Sequence, residues 1–155
     1  MFKKILFCTD LSENSHYAFT YALNLAKTYG GELLILHVMP EPAYLYQDGS
    51  SYVPIGKLEE IEASEKEKAQ RELNTFYIQE MDEFKNFRVL LKRGVAFYVI
   101  IQTAKEESVD LVVMGTHGKT GLDHILFGST AERVVRKSPI PVLTIRLPGK
   151  KFVMP

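Results

Sequence analysis

Cysteine is nearly absent from the sequence: Cys8 stands alone. A single thiol cannot close an internal disulfide, which fits a reducing compartment and makes the cytoplasm the expected location. Net charge is absent too, because 19 Lys and Arg balance 19 Asp and Glu. No global field therefore draws the chain to nucleic acid or to an acidic membrane surface. No apolar run approaches the length of a membrane span, and Met1-Phe2-Lys3-Lys4 leads into a strand pattern rather than a signal peptide. What remains is a 155-residue chain, 46% apolar and 25% charged, the make-up of one soluble globular domain that can bury a single core.

Apolar runs alternate with helical patterns along the whole chain. Ile5-Leu6-Phe7-Cys8 reads as a buried strand. The helix after it has Ser12 as its expected N-cap, Ala18, Tyr21, Ala22, Leu25 and Ala26 at helical spacing, and Gly30-Gly31 as its stop. Leu33 to Met39 is a second strand. From Pro40 to Gly56 the prolines, glycines and serines mark a long loop, and a loop of that length in a compact domain is usually functional or mobile. A long amphipathic helix is expected from Lys57 to about Phe84, its Glu- and Lys-rich side solvated. Phe87 to Leu91 is the third strand, and Gly94 opens a helix whose buried face includes Val99, Ile100 and Ala104. Asp110 to Met114 is the fourth strand, Ser129 to Lys137 a helix, and Val142 to Ile145 the fifth strand. Residues 1–147 thus form one domain with a loop at 40–56 and a frayed tail at 148–155. Strands that are apolar throughout, alternating with helices, argue an α/β fold: an open parallel sheet covered by helices on both faces.

The stretch Met114-Gly115-Thr116-His117-Gly118-Lys119-Thr120-Gly121, followed by Gly128-Ser129-Thr130, carries the functional signal. Glycines just beyond a strand's carboxyl end let backbone curve closely round a ligand. N–H groups there, and at the start of the helix near Gly128, make a ready anion site. Gly118-Lys119-Thr120 imitates the tail of a Walker A loop, but the pattern G-x-x-x-x-G-K-[ST] requires a glycine where this chain has Val113. In open parallel sheets the ligand sits beyond the carboxyl ends of the strands. The Gly loop would there face Thr9-Asp10 after strand one and Val38-Met39 after strand two. Cys8 reads as a small buried hydrophobe, and His16, His37 and His124 lack metal-ligand spacing. Arg133, Arg136 and Lys137 form a basic patch on one helix, where they also suit its C-terminal dipole; no aromatic stacking motif accompanies them, which argues against a nucleic-acid role.

These residues resemble the universal stress protein family, and specifically its ATP-binding branch, marked by Gly-x2-Gly-x9-Gly-Ser/Thr. Gly115, Gly118, Gly128 and Ser129 match each position. The match continues through Lys4 to Ser12, His37-Val38 and Ser138-Pro139-Ile140-Pro141-Val142. It departs at Cys8 and at Ala96, where many members carry Pro; Ala96 is read as bearing on helix geometry rather than on the ligand. The resemblance implies a Rossmann-like sheet of the adenine nucleotide alpha hydrolase type, strand order 3-2-1-4-5. It implies Asp10, with Thr9 beside it, as the contact to adenine or ribose, and Val38 as the adenine pocket wall. Met114, Gly115, His117 and Gly118 would form the ribose and phosphate wall, and Gly128, Ser129 and Thr130 the triphosphate cradle. It further implies a homodimer through Val142, Leu143, Thr144 and Ile145.

The expected function is binding of ATP, or of ADP or AMP, as a ligand-controlled switch or stress-response regulator acting on an unidentified protein partner, with slow hydrolysis or none. Phosphoryl transfer at enzymatic rates needs a positioned base and charge neutralisation at the γ-phosphate. Lys119, His117 and Ser129 are at hand, but no acidic metal-holding pair; Mg²⁺ or Mn²⁺ would be held by the phosphates and water. A weak nucleotide hydrolase and a dimeric scaffold with an empty pocket are the alternatives.

Overall fold

A computed structural model describes residues 1–41, 54–117 and 128–148. Five parallel strands, β1 (Lys4–Thr9), β2 (Glu32–Met39), β3 (Phe87–Arg93), β4 (Leu111–Gly115) and β5 (Val142–Ile145), form one sheet in the order β3-β2-β1-β4-β5. The chain runs outward from β1 to β3, then crosses back to lay β4 on the other side of β1. Ile5 pairs with Leu33 on one side and Leu111 on the other.

The period-two alternation of side chains assigns each strand residue to one of two cores. Ile5, Phe7, Leu33, Ile35, Leu111, Val113 and Ile145 face α1 (Glu13–Tyr29) and the C-terminal half of α2 (Ile55–Phe76). Leu6, Cys8, Leu34, Leu36, Val112 and Met114 face α3 (Ala96–Glu106) and α4 (Ser129–Lys137). Leu143 also packs on the first core, so Leu143 and Ile145 share a face, while Val142 packs on the second. A strand buried on both faces must be apolar at every position, which is why the strand runs are unbroken.

Most boundaries follow local chemistry. Ser12 caps α1, its Oγ accepting from the Ser15 N–H, and Gly30 ends the helix in the left-handed conformation at φ 61°. Gly31 has a different reason: a Cβ there would sit 2.6 Å from the Phe2 carbonyl oxygen. Three expectations need correction. The long helix begins at Ile55, so Gly56 belongs to its first turn, and it stops at Phe76, with a 3₁₀ turn from Ile78 to Met81 in place of helix to Phe84. Tyr77 is the C-cap, its N–H still donating to the Leu73 carbonyl at 3.0 Å, and it is completely buried against Phe7 and Phe19. Gly94 does not open α3 but precedes it at φ 139°, a conformation other residues avoid, and Val95 takes the N-cap position. Most of the loop expected at 40–56, and the tail beyond Pro148, lie outside the described residues. Among the described residues no helix is long and apolar enough to cross a membrane.

Candidate functional site

A cleft of about 270 Å³ opens at the carboxyl ends of β1, β2 and β4, on the α3–α4 side of the sheet. β1 and β4 are neighbours whose connections leave in opposite directions, and the space between such connections is where an open parallel sheet admits a ligand. The cleft is lined by Thr9, Asp10, Val38, Met114, Gly115 and His117, and across from them by Gly128, Ser129 and Thr130. Nine of the ten residues singled out in the sequence therefore meet at one place; the tenth, Gly118, lies outside the described residues.

The wall beneath is apolar: Cys8, Leu36, Val38, Ile100, Met114 and Ala131. Burial pushes the Cys8 thiol far above its ordinary range, so it is a packing group and not a nucleophile at neutral pH. Ala96, read as bearing on helix geometry rather than on the ligand, lines the cleft from the start of α3.

The β1–α1 turn supplies the polar side. The Asp10 Oδ1 accepts from the Ser12 N–H at 3.1 Å and from the Ser12 hydroxyl at 2.6 Å. Asp10 thus braces the N-cap residue Ser12 and also lines the cleft. Leu11 between them holds φ 64°, and its N–H donates to Thr9 Oγ1 at 2.9 Å. The Thr9 carbonyl accepts from His37 Nδ1 at 2.9 Å, which fixes the proton of this buried imidazole on Nδ1.

The facing side is closed by backbone. The Thr116 N–H donates to the Ile145 carbonyl at 3.0 Å, and the Thr116 carbonyl accepts from the Gly128 N–H at 2.8 Å. These bonds bring the start of α4 back against the end of β4, whatever path residues 118–127 take between them. They also commit the Gly128 amide to Thr116, so an anion at this helix start would meet the amides beyond it. The N-cap of α4 is Gly128, which has no side chain to cap it, and the residues of the first turn, Ser129 to Ala131, line the cleft. His117 is buried, with Nδ1 2.9 Å from Thr116 Oγ1.

Gly115 has an unexpected reason to be glycine. A Cβ built there would lie 3.2 Å from both the carbonyl carbon and oxygen of Asn14, in the first turn of α1. Its missing side chain admits α1, on the face of β4 opposite Met114. The sequence pattern also missed Ser15, Thr116 and Tyr77. Ser15 lines the cleft, and Tyr77 stands behind it with its hydroxyl 2.5 Å from Thr9 Oγ1. Burial raises the Tyr77 pKa, against an opposing effect of its bonds to Ser15 and Thr9, so it is a neutral hydrogen-bonding group at pH 7. The basic patch on α4 is partly occupied, Arg133 lying over the Phe97 ring at 5.2 Å and Arg136 reaching Glu132 at 3.3 Å.

The universal stress protein family profile matches residues 1–146. The chain belongs to that family. Among its relatives, universal stress protein MJ0531 of Methanocaldococcus jannaschii is 35% identical, the alignment covering 97% of this chain and 86% of that protein. Universal stress protein MJ0577 of the same organism is 33% identical over 94% of this chain and 96% of its own. The solved structure of MJ0577 superposes with a TM-score of 0.82, covering 96% of this chain and 99% of that one. A universal stress protein solved in complex with cAMP shares the fold at a TM-score of 0.58 and 22% identity, covering 93% of this chain and 96% of that one. The Rossmann-like sheet and its strand order are those of the family.

Proposed function

We propose that this universal stress protein binds an adenine nucleotide, ATP in the first instance, in the cleft at the carboxyl ends of β1 and β4. The observation that carries the reading is the convergence of four sequence-distant segments, around residues 9–10, 38, 114–117 and 128–130, on one concave site with an apolar floor and the start of a helix at its wall. A flat aromatic base suits the wall of Leu36, Val38, Ile100 and Met114. Asp10 stands where it can accept from the base or ribose, and the first turn of α4, with Ser129 and Thr130, faces the phosphates. The volume suits a nucleoside, with the phosphates directed over α4 rather than enclosed. The fold is one in which an adenine nucleotide complex, with cAMP, is known.

The nucleotide acts as a ligand that shifts a conformation or a partner, not as a rapidly consumed substrate. Among the described cleft residues Asp10 is the one carboxylate, and its Oδ1 is already engaged by Ser12. A divalent ion, Mg²⁺ or Mn²⁺, would be carried by the phosphates themselves. The edge strand β5 is the proposed dimer contact. The Pro141 and Ile145 carbonyls accept from Val112 and Thr116 of the β4 side, so in a parallel ladder the alternate residues Val142 and Thr144 turn their backbone polar groups outward. The test of the nucleotide reading is mass spectrometry of small molecules released by denaturing freshly purified protein, with calorimetric titration of ATP, ADP and GTP. Release of adenine nucleotide and a preference for it over GTP are expected; a protein that carries none and binds none overturns the reading.

A further inference from the structure

Behind the cleft runs a chain of hydroxyl groups whose proton order can be assigned. Ser15 Oγ lies 2.8 Å from the Ser12 carbonyl, which can only accept, so the Ser15 proton points there. Thr9 Oγ1, 3.0 Å from Ser15 Oγ, then donates to Ser15. Thr9 Oγ1 accepts the Leu11 N–H, and its remaining lone pair takes the Tyr77 proton at 2.5 Å. The order is Tyr77 to Thr9 to Ser15 to the Ser12 carbonyl. Every link after the first belongs to the β1–α1 turn that carries Asp10. Leu11 inside that turn holds φ 64°, a region that non-glycine residues occupy only when their surroundings impose it.

Tyr77 comes from elsewhere. It follows the end of α2, continues the buried stripe of Ala69 and Leu73, and is wholly buried on the core facing away from most of the cleft. It does not line the cleft. Its ring would pack equally well as phenylalanine against Phe7, at 5.4 Å, and Phe19, at 4.8 Å. The hydroxyl therefore has a role that packing does not need.

We propose that Tyr77 is a positioning residue for the nucleotide site: its hydroxyl locks Thr9, and through the Leu11 amide sets the backbone that aims Asp10 at the ligand. The inference rests on the adenine-nucleotide reading above and adds to it that the end of α2 is wired to the site by one hydroxyl, which meets Thr9 closely and Ser15 at 3.4 Å.

Tyr77→Phe removes the hydroxyl's short bond to Thr9 and its longer contact with Ser15 Oγ at 3.4 Å, and nothing else. Thr9 and Ser15 keep each other, and Ser15 keeps the Ser12 carbonyl, so no buried donor is stranded and the fold survives. The expected loss in ATP affinity by calorimetry is about three- to tenfold, the range of one neutral hydrogen bond, with an unchanged circular dichroism spectrum. In an Asp10→Ala background the same change should have less than about a twofold effect, because the group it aims is gone. A second measurement needs no ligand: in Tyr77→Phe the Leu11 and Ser12 amides should exchange hydrogen faster than in the wild type, while the amides of β2 keep their protection. Wild-type binding with undiminished Tyr77→Phe affinity, or an equal loss in the Asp10→Ala background, overturns the proposal and leaves Tyr77 a core residue. Wild-type protein that binds no ATP overturns the functional reading instead. Exchange at Leu11 then decides the structural half: acceleration supports the lock, and unchanged protection overturns it.

Discussion

Gly115→Ala separates two reasons for a glycine that share one position. If the residue serves the ligand, as its place in the Gly-x2-Gly-x9-Gly-Ser motif suggests, a methyl group should weaken nucleotide binding and leave stability alone. The structure points the other way. The new Cβ would lie 3.2 Å from Asn14 C and O and 3.4 Å from the His117 carbonyl oxygen, all of them backbone. Backbone in the first turn of a helix cannot rotate aside as a side chain can. To reach ordinary contact distance α1 must move off β4 by a few tenths of an ångström, carrying Ala18, Phe19 and Ala22 with it. Gly115 is outside the positive-φ region, so no dihedral strain adds to the steric one. Overpacking of this kind costs about 1–3 kcal/mol. In a domain of this size that lowers the thermal midpoint by about 2–12 °C. Thermal unfolding without ligand, beside calorimetric ATP titration well below the midpoint, reads both quantities. A lowered midpoint with affinity retained within about threefold is expected. A wild-type midpoint with a tenfold loss of affinity would refute the packing argument and return Gly115 to the ligand.

Gly128→Val places a branched Cβ at the mouth of the cleft where α4 begins; because Gly128 has φ −67° the backbone accepts it, and ATP affinity should fall at least about tenfold with the fold intact. Calorimetry showing unchanged affinity would remove α4 from the phosphate site. Thr144→Pro deletes an outward N–H of β5 while sparing the carbonyls that bond the β4 side, so sedimentation should show monomer where the wild type is dimer; a persistent dimer would place the interface elsewhere. Single-turnover hydrolysis of bound ATP should lie far below the typical enzymatic range of roughly 1–1,000 per second, and a rate inside that range that Gly128→Val abolishes would restore the hydrolase alternative.

The sequence announced the sheet because a doubly covered strand leaves no polar position to blur its pattern, and the boundaries of α4 and β5 coincide with those read from the residues. The cleft was legible for a related reason: glycines and a helix start follow directly on β4, within one local stretch. What escaped depends on contacts between distant residues. Tyr77 looked like one more apolar helix position, and nothing near it in sequence says that its hydroxyl will meet Thr9, sixty-eight positions earlier. The commitment of the Gly128 amide to Thr116 likewise depends on how a segment closes on itself. Ala96 was read for helix geometry alone, and nothing near it in sequence says that the first turn of α3 stands at the cleft wall.

The pairing of Ile5 with both Leu33 and Leu111 has a consequence for how the molecule comes into being. Of the five strands the central one is made first, yet β4, one of its two partners, is made only after β2, α2, β3 and α3. Until β4 arrives, β1 offers an edge with the apolar run Ile5 to Cys8 and unsatisfied backbone groups, and β1, β2 and β3 form an incomplete sheet open on that side. Such separated pairings slow folding and leave intermediates prone to association. Both walls of the cleft depend on that late β1–β4 seam, and α4 and β5 come later still, so a nascent or truncated chain that stops before residue 111 has a partial sheet but no binding site. Competence for the ligand therefore coincides with closure of the sheet, and bound nucleotide would favour the completed state by mass action.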